Sequence, residues 1–198
     1  MKTGIRSIII IFLVILADQA FKIWIKTHMF IGQEFHIAGN WFIIHYTENN
    51  GMAFGLELAG GYGKLALSLF RIVAVCGIGW VLVHIIKHKY HSLLIICVSL
   101  IFAGALGNII DSTFYGVFFG YESLLHGRVV DMLYFPLIEG HYPSWSPVWA
   151  GQEFIFFRPV FNLADSAISI GVIIIFLFQK QLFANNQGQE NTQNITSE

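Results

Sequence analysis

The sequence predicts an all-α polytopic membrane protein of four transmembrane helices, with a small β-sheet and extra segments on the outer face. Three observations carry this. Of 198 residues, 56% are hydrophobic and only 12% are charged, about half the charge of a soluble domain. The mean hydropathy is +0.65. Four stretches stay apolar over the roughly 20 residues that cross a bilayer at about 1.5 Å of rise each.

Those stretches cover residues 4–25, 64–86, 92–110 and 160–178. Lys2 and Arg6 before the apolar run 8–17 imitate a secretory signal. The run leads into Asp18-Gln19-Ala20-Phe21-Lys22 with only a weak small-x-small pattern, so it is read as a retained first span. Residues 34–46 read as two short strands around the Gly39-Asn40 turn. After the third span, Trp145, Trp149, Phe154, Phe156 and Phe157 suit a membrane–water boundary, and Pro143 and Pro147 break regular structure. The tail 184–198 is rich in Asn, Gln and Ser, has no apolar face, and is expected to be disordered. The expected organisation is therefore one membrane domain, 1–183, with outer loops 26–63 and 111–159. Lys2, Arg6, Lys87, Lys89 and Lys180 fall on one side of the four spans. That side is expected to be the cytoplasm, with both termini there. Lys26, Lys64, Arg128 and Arg158 lie on or near the other side, so the bias is moderate.

Several functions are disfavoured by composition. A net charge of −1 argues against nucleic acid, because phosphate binding needs a basic surplus. Cys76 and Cys97 sit in apolar runs without a CxxC pattern and read as small buried hydrophobes. There is no Gly-x-Ser-x-Gly elbow and no His-Glu-x-x-His motif. His84, His88 and His91 have helical spacing, but they stand beside Lys87 and Lys89 without an acid ligand. No metal and no cofactor are expected.

An ionisable group within a span costs about 2.5–3.5 kcal/mol, which makes each one a functional candidate. Asp18, Asp111 and Asp165 lie inside spans or at their outer ends, and Asp131 sits in the apolar string 128–135. The predicted topology brings all four to the same outer level. Each has a second, structural reading. Asp18 and Lys22 have the i, i+4 spacing of an ordinary ion pair. Asp111 serves equally to bond turn amides, and Asp131 to face solvent from a loop. Asp165 also suits a helix N-terminus, where the dipole favours an acid, and Asn162 shares its helix face. Gly104 and Gly107 suit close helix packing, whereas Asn108 is an amide in a span that needs partners. Asn49-Asn50-Gly51 is equally a simple turn. A transport protein with an acidic ion path is the non-enzyme alternative. Such a path spreads groups through the bilayer depth, yet the inner halves of spans three and four carry no Asp or Glu. A membrane acyl or phosphate transferase would need a His or an anion cradle beside the acids.

Five motifs in order resemble the lipoprotein signal peptidase family, also called signal peptidase II. Asp18, Gln19 and Lys22 resemble its D-Q-x-x-K; Asn49, Gly51, Ala53 and Phe54 resemble N-x-G-x-A-F. The run from Gly104 through Asn108 to Asp111 resembles G-A-x-G-N-x-x-D, Val129-Val130-Asp131 resembles V-V-D, and Phe161, Asn162, Ala164 and Asp165 resemble F-N-x-A-D. Each motif alone is weak; five in order across four spans are specific.

The resemblance implies that Asp131 and Asp165 are the catalytic pair of an aspartic endopeptidase. It implies that Asp18, Lys22, Asn49, Gly104, Asn108, Asp111 and Asn162 support the site or contact substrate. It also implies a diacylglyceryl-modified prolipoprotein as substrate, cut just before its lipidated cysteine, in the bacterial inner membrane near the periplasmic face. Membrane lipids and globomycin-type cyclic peptides are the other implied partners. Two departures stand out. The family's arginine after the G-N-x-x-D acid is Ser112, and the stretches 111–131 and 131–165 are longer than usual. An arginine elsewhere is expected to compensate. Arg128, three residues before Asp131, is the preferred candidate, and Arg71 inside span two is the second.

Overall fold

The computed structural model describes residues 2–50, 60–136, 138–141, 145, 151, 153–156 and 160–195. Gly51, Ala53 and Phe54 of the second motif lie outside these residues, as do Pro143, Pro147, Trp149, Phe157 and Arg158. The chain forms two compact units, residues 1–20, 50–129 and 163–198 in one and residues 21–49 and 130–162 in the other.

The first unit is helical. Helix α1 spans Lys2–His28 and continues into the second unit; α2 spans Gly60–Lys87 and α3 Ser92–Ile110. A π-helical segment, Asp111–Tyr115, and a short α4, Gly116–Phe118, extend α3. Helix α5 spans Leu163–Ile195. Among the described residues, Thr3–His28, Tyr62–Lys87, Ser92–Phe118 and Leu163–Phe183 are long and apolar enough to cross a membrane. Side chains such as Ile8, Phe12, Phe70, Val73, Trp80 and Phe176 point outward, as lipid-facing surfaces require. Leu82, Ile85, Leu94, Ile95, Val98 and Leu182 form a buried cluster. His91, one of the three spaced histidines, caps α3 by accepting a hydrogen bond from the Leu93 N–H.

Helices α3 and α5 meet backbone to backbone. A Cβ on Gly104 would overlap the Ala164 carbonyl oxygen, and one on Gly171 would stand 2.7 Å from the Cys97 carbonyl oxygen. The two contacts lie about two turns apart on both helices, running in opposite directions. Small residues let helices approach where apolar burial supplies no driving force.

Three boundaries differ from expectation. The third span does not end at Ile110, because the π segment carries the helix past Asp111. The fourth begins at Leu163 and not at 160, because Val160 and Phe161 pair as a strand. The helix also runs beyond its apolar part to Ile195, where the composition suggests no order. A helix satisfies its own backbone and needs no apolar face to continue, and Gln and Glu are adequate helix formers.

The second unit is mainly β-structure. Its strands are β1 Glu34–Ala38, β2 Phe42–Asn49, β3 Val129–Tyr134, β4 Ile138–His141, β5 Glu153–Phe156 and β6 Val160–Phe161. One sheet has the order β1-β2-β3-β6, and β4 pairs with β5 in another. The first hairpin matches the predicted one, with Phe35 opposite Ile44 and Gly39 at φ +54°, a backbone state that glycine adopts without strain. The antiparallel β4–β5 pair, Ile138 opposite Phe156, is the extra structure expected in the long stretch 131–165. Strand β3 is buried along its whole length. Phe135 stacks on Phe42 at 4.8 Å and on Phe161 at 5.8 Å.

Gly104→Ala should destabilise the protein by about 1–3 kcal/mol, the usual cost of overpacking, seen as a lower unfolding midpoint in detergent. Gly77→Ala, where a Cβ meets nothing within 4 Å, serves as control. Equal midpoints for the two variants would contradict the tight α3–α5 contact.

Candidate active site

The start of α5 sets the geometry of the helical unit's site. First-turn N–H groups lack intrahelical acceptors, and in an apolar medium each must find another. The Ala164 N–H finds the carboxylate of Asp18 on α1, donating to Oδ1 at 2.9 Å. Asp18 is 1% exposed, so the acid caps a helix remote in sequence.

Gln19 ties this carboxylate to a second one. Its Nε2 donates to Asp18 Oδ2 at 3.1 Å, to Asp111 Oδ1 at 2.9 Å and to the Gly107 carbonyl at 3.2 Å. Its Oε1 accepts from the Tyr115 hydroxyl at 3.1 Å. An amide N–H₂ between two buried carboxylates offsets part of their repulsion without adding a charge. Gly107 leaves room for this, because a Cβ there would stand 2.9 Å from Asp18 Oδ2.

The π segment holds Asp111 inside, fully buried. Ser112 Oγ donates to the Asn108 carbonyl at 2.9 Å, and the Gly127 N–H donates to the Ser112 carbonyl at 2.9 Å. A side chain at Gly127 would collide with the Asp111 carbonyl. Such π turns recur at functional sites because they re-aim side chains that a regular helix would place elsewhere.

One turn earlier, Asn108 Nδ2 donates to Asp165 Oδ1 at 2.8 Å. Asp165 stands in the first turn of α5, where the dipole favours an acid, while the side-chain bond to the Ala164 N–H comes from Asp18. Asp165 and Asn108 line a cleft of about 260 Å³ with Arg71, and Phe70, Val75 and Ile168 supply apolar walls. Arg71 Nη1 donates to Ser112 Oγ at 2.8 Å.

In the second unit, Asp131 lies on β3 and is 3% exposed. The exposed-loop alternative is thereby removed. Asn162 Nδ2 donates to Asp131 Oδ1 at 2.7 Å, and Asn162 is itself fully buried. Lys22, one turn beyond Asp18 on α1, is fully buried, and Asn49 ends β2 half-buried. Lys26 bonds both Tyr46 and Glu48.

The arginine preferred on sequence grounds, Arg128, packs against Tyr121. The Arg128 guanidinium lies 5.4 Å from the Tyr121 ring centre, and its backbone N–H donates to the Tyr121 hydroxyl. It is Arg71, the second candidate, that reaches Ser112. Helix α2, which carries Arg71, packs against α3. Gln19 and Tyr115 were not singled out as site residues. For Gln19 the signal was available, since an amide within a span needs partners for the same reason as Asn108.

The sequence profile of the family described as Signal peptidase (SPase) II matches residues 10–180, which take in every candidate site residue. The chain belongs to the signal peptidase II family. A lipoprotein signal peptidase of Porphyromonas gingivalis is 52% identical over 184 residues, covering 85% of this chain and 80% of the relative. That of Amoebophilus asiaticus is 39% identical, covering 83% and 73%. Two solved structures described as bacterial membrane enzymes superpose with TM-scores of 0.59 and 0.60 at 28% and 30% identity. The first covers 88% of each chain, and the second covers 87% of this chain and 90% of its own. This signal peptidase II chain is thus a multi-pass membrane peptidase.

Gln19→Glu should lower the unfolding midpoint at neutral pH more than Gln19→Ala. A third carboxylate would face Asp18 and Asp111, and replacing an amide by a like charge costs more than removing it. The gap should narrow at acid pH, where the introduced carboxyl is protonated and regains a donor. A midpoint for the Glu variant at or above that of the Ala variant at pH 7 would contradict the network.

Proposed function

We propose that this peptidase removes the signal peptide from diacylglyceryl-modified prolipoproteins, cutting immediately before the lipidated cysteine with Asp131 and Asp165 as its two catalytic acids. The observation that carries the proposal is that each acid has a carboxylate oxygen held by one asparagine amide, Asn162 for Asp131 and Asn108 for Asp165. An amide N–H donor fixes the orientation of the carboxylate that it bonds. The names of the Porphyromonas and Amoebophilus relatives support the substrate class.

In this mechanism the two acids share one proton, since neighbouring carboxylates resist joint ionisation. The ionised partner takes a proton from water as the water oxygen attacks the scissile carbonyl carbon. The protonated partner donates to the carbonyl oxygen, giving a neutral gem-diol. The diol then collapses: the C–N bond breaks as the cysteine nitrogen takes the proton held by the first acid, a diol hydroxyl returns a proton to the second, and the signal peptide leaves as a carboxylic acid. No covalent enzyme intermediate forms. A site among membrane spans excludes bulk water and gives acyl chains a lateral route from the bilayer. The proposal includes a bacterial inner-membrane location with both termini cytoplasmic and the site near the periplasmic face. Competition by globomycin-type cyclic peptides is part of it.

Purified Asp131→Asn and Asp165→Asn should each lose cleavage of a lipidated prolipoprotein peptide by at least about 10³-fold, the scale of a lost acid–base group, while unfolding near the wild-type midpoint. Wild-type rates in either folded variant would remove that residue from the pair. Cleavage should also persist in EDTA and after serine- or cysteine-directed reagents. Loss with chelator and recovery with zinc would replace the two-acid mechanism by a metal one.

A further inference from the structure

The Asp165 cleft contains a cation that the two-acid mechanism does not use. An arginine in the apolar α2 costs free energy to bury, and Arg71 is held at the cleft by its Nη1 bond to Ser112 Oγ. The serine in turn is fixed through the Asn108 carbonyl. A chain of three side chains thus connects the guanidinium to the acid: Arg71 to Ser112, Ser112 to the backbone of Asn108, and Asn108 to Asp165. Of the polar groups on the cleft wall, the Asn108 amide is engaged with Asp165. Arg71 is the cation among them, and a guanidinium carries five N–H donors in a rigid fork.

The ligand chemistry follows from the neighbours. A carboxylate, Asp165, lines the same cleft as the guanidinium, so the two charges offset and the cleft does not select for an anion. The apolar walls, Phe70, Val75 and Ile168, suit a neutral acceptor on an apolar body. We propose that Arg71 is a substrate-positioning residue that donates to a carbonyl oxygen of the substrate, with Ser112 holding its guanidinium in place. This rests on the peptidase function proposed above. The carbonyl belongs either to the peptide backbone or to the acyl esters of the diacylglyceryl group, both neutral acceptors of one chemistry.

The test uses the full chain purified in detergent and a diacylglyceryl peptide substrate. Wild-type protein that fails to cleave this peptide before its cysteine overturns the parent function, separately from any role of Arg71. With the wild type active, Arg71→Ala should lose about 10- to 100-fold in kcat/KM, the scale of a charge-assisted hydrogen bond. Arg71→Lys should not restore it, because an ammonium lacks the fork. The decisive variant is Arg71→Ala/Ser112→Arg, which moves the guanidinium to the other end of the same hydrogen bond and should recover most of the rate. A wild-type rate in Arg71→Ala overturns the proposal. So does a loss that neither the double variant nor added methylguanidinium relieves while the unfolding midpoint falls in step, because that marks a purely structural arginine. A dialkyl-ether substrate separates the two carbonyl sources. If the Arg71→Ala penalty vanishes on it, the ester is bound; if the penalty persists, the peptide carbonyl is.

Discussion

A buried carboxylate accepting a first-turn N–H of a helix is the constraint on which the helical site depends. Asp18 holds Ala164, and Ala164 fixes the next residue, Asp165. The same contact is enforced from the other side, where Gly104 lets the Ala164 carbonyl approach α3. The start of α5 is therefore held by a hydrogen bond at the Ala164 N–H and by close packing at its C=O. In an aqueous protein, water could replace the carboxylate. In an apolar medium the alternative is an unsatisfied backbone group, which costs several kcal/mol. A residue that looks structural, Asp18, thus sets the position of one that looks catalytic.

Burying Asp18 and Asp111 in an apolar protein creates the problem that Gln19 addresses. The amide donates to both carboxylates and to the Gly107 carbonyl. Tyr115, one turn past Asp111, closes the network by donating to the amide oxygen. That turn is π-helical, and the unusual winding brings Asp111, Ser112 and Tyr115 all inside, each 3% exposed or less. Ser112 then lies within reach of Arg71 on α2.

Much of this was legible in the sequence, for identifiable reasons. Span length and composition located four apolar helices within a few residues, because hydropathy over 20 residues is a strong signal. The Gly39-Asn40 turn identified the first hairpin. The scarcity of acids in apolar segments brought Asp18, Asp111, Asp131 and Asp165 forward, and all but the cleft-lining Asp165 are almost wholly buried. What hydropathy could not show was any choice made by side-chain reach. The helix winds on past Ile110 because a polar network satisfies the π turn, which has no sequence signature of its own. Val160 and Phe161 read as the start of an apolar span, and only pairing with Leu133 and Tyr134 makes them a strand. Nor could hydropathy show that helix packing brings Arg71 to Ser112 across 41 positions.

The reaction we propose is direct attack by water, activated by two carboxylates, on the bond before a lipidated cysteine. Mass analysis of both fragments of a diacylglyceryl peptide, cleaved in ¹⁸O-water with hydroxylamine present, tests it most directly. The account predicts one cut immediately before the modified cysteine, one ¹⁸O in the new signal-peptide carboxylate, and no hydroxamate. A cut elsewhere, or a hydroxamate trapped from an acyl-enzyme, would contradict it.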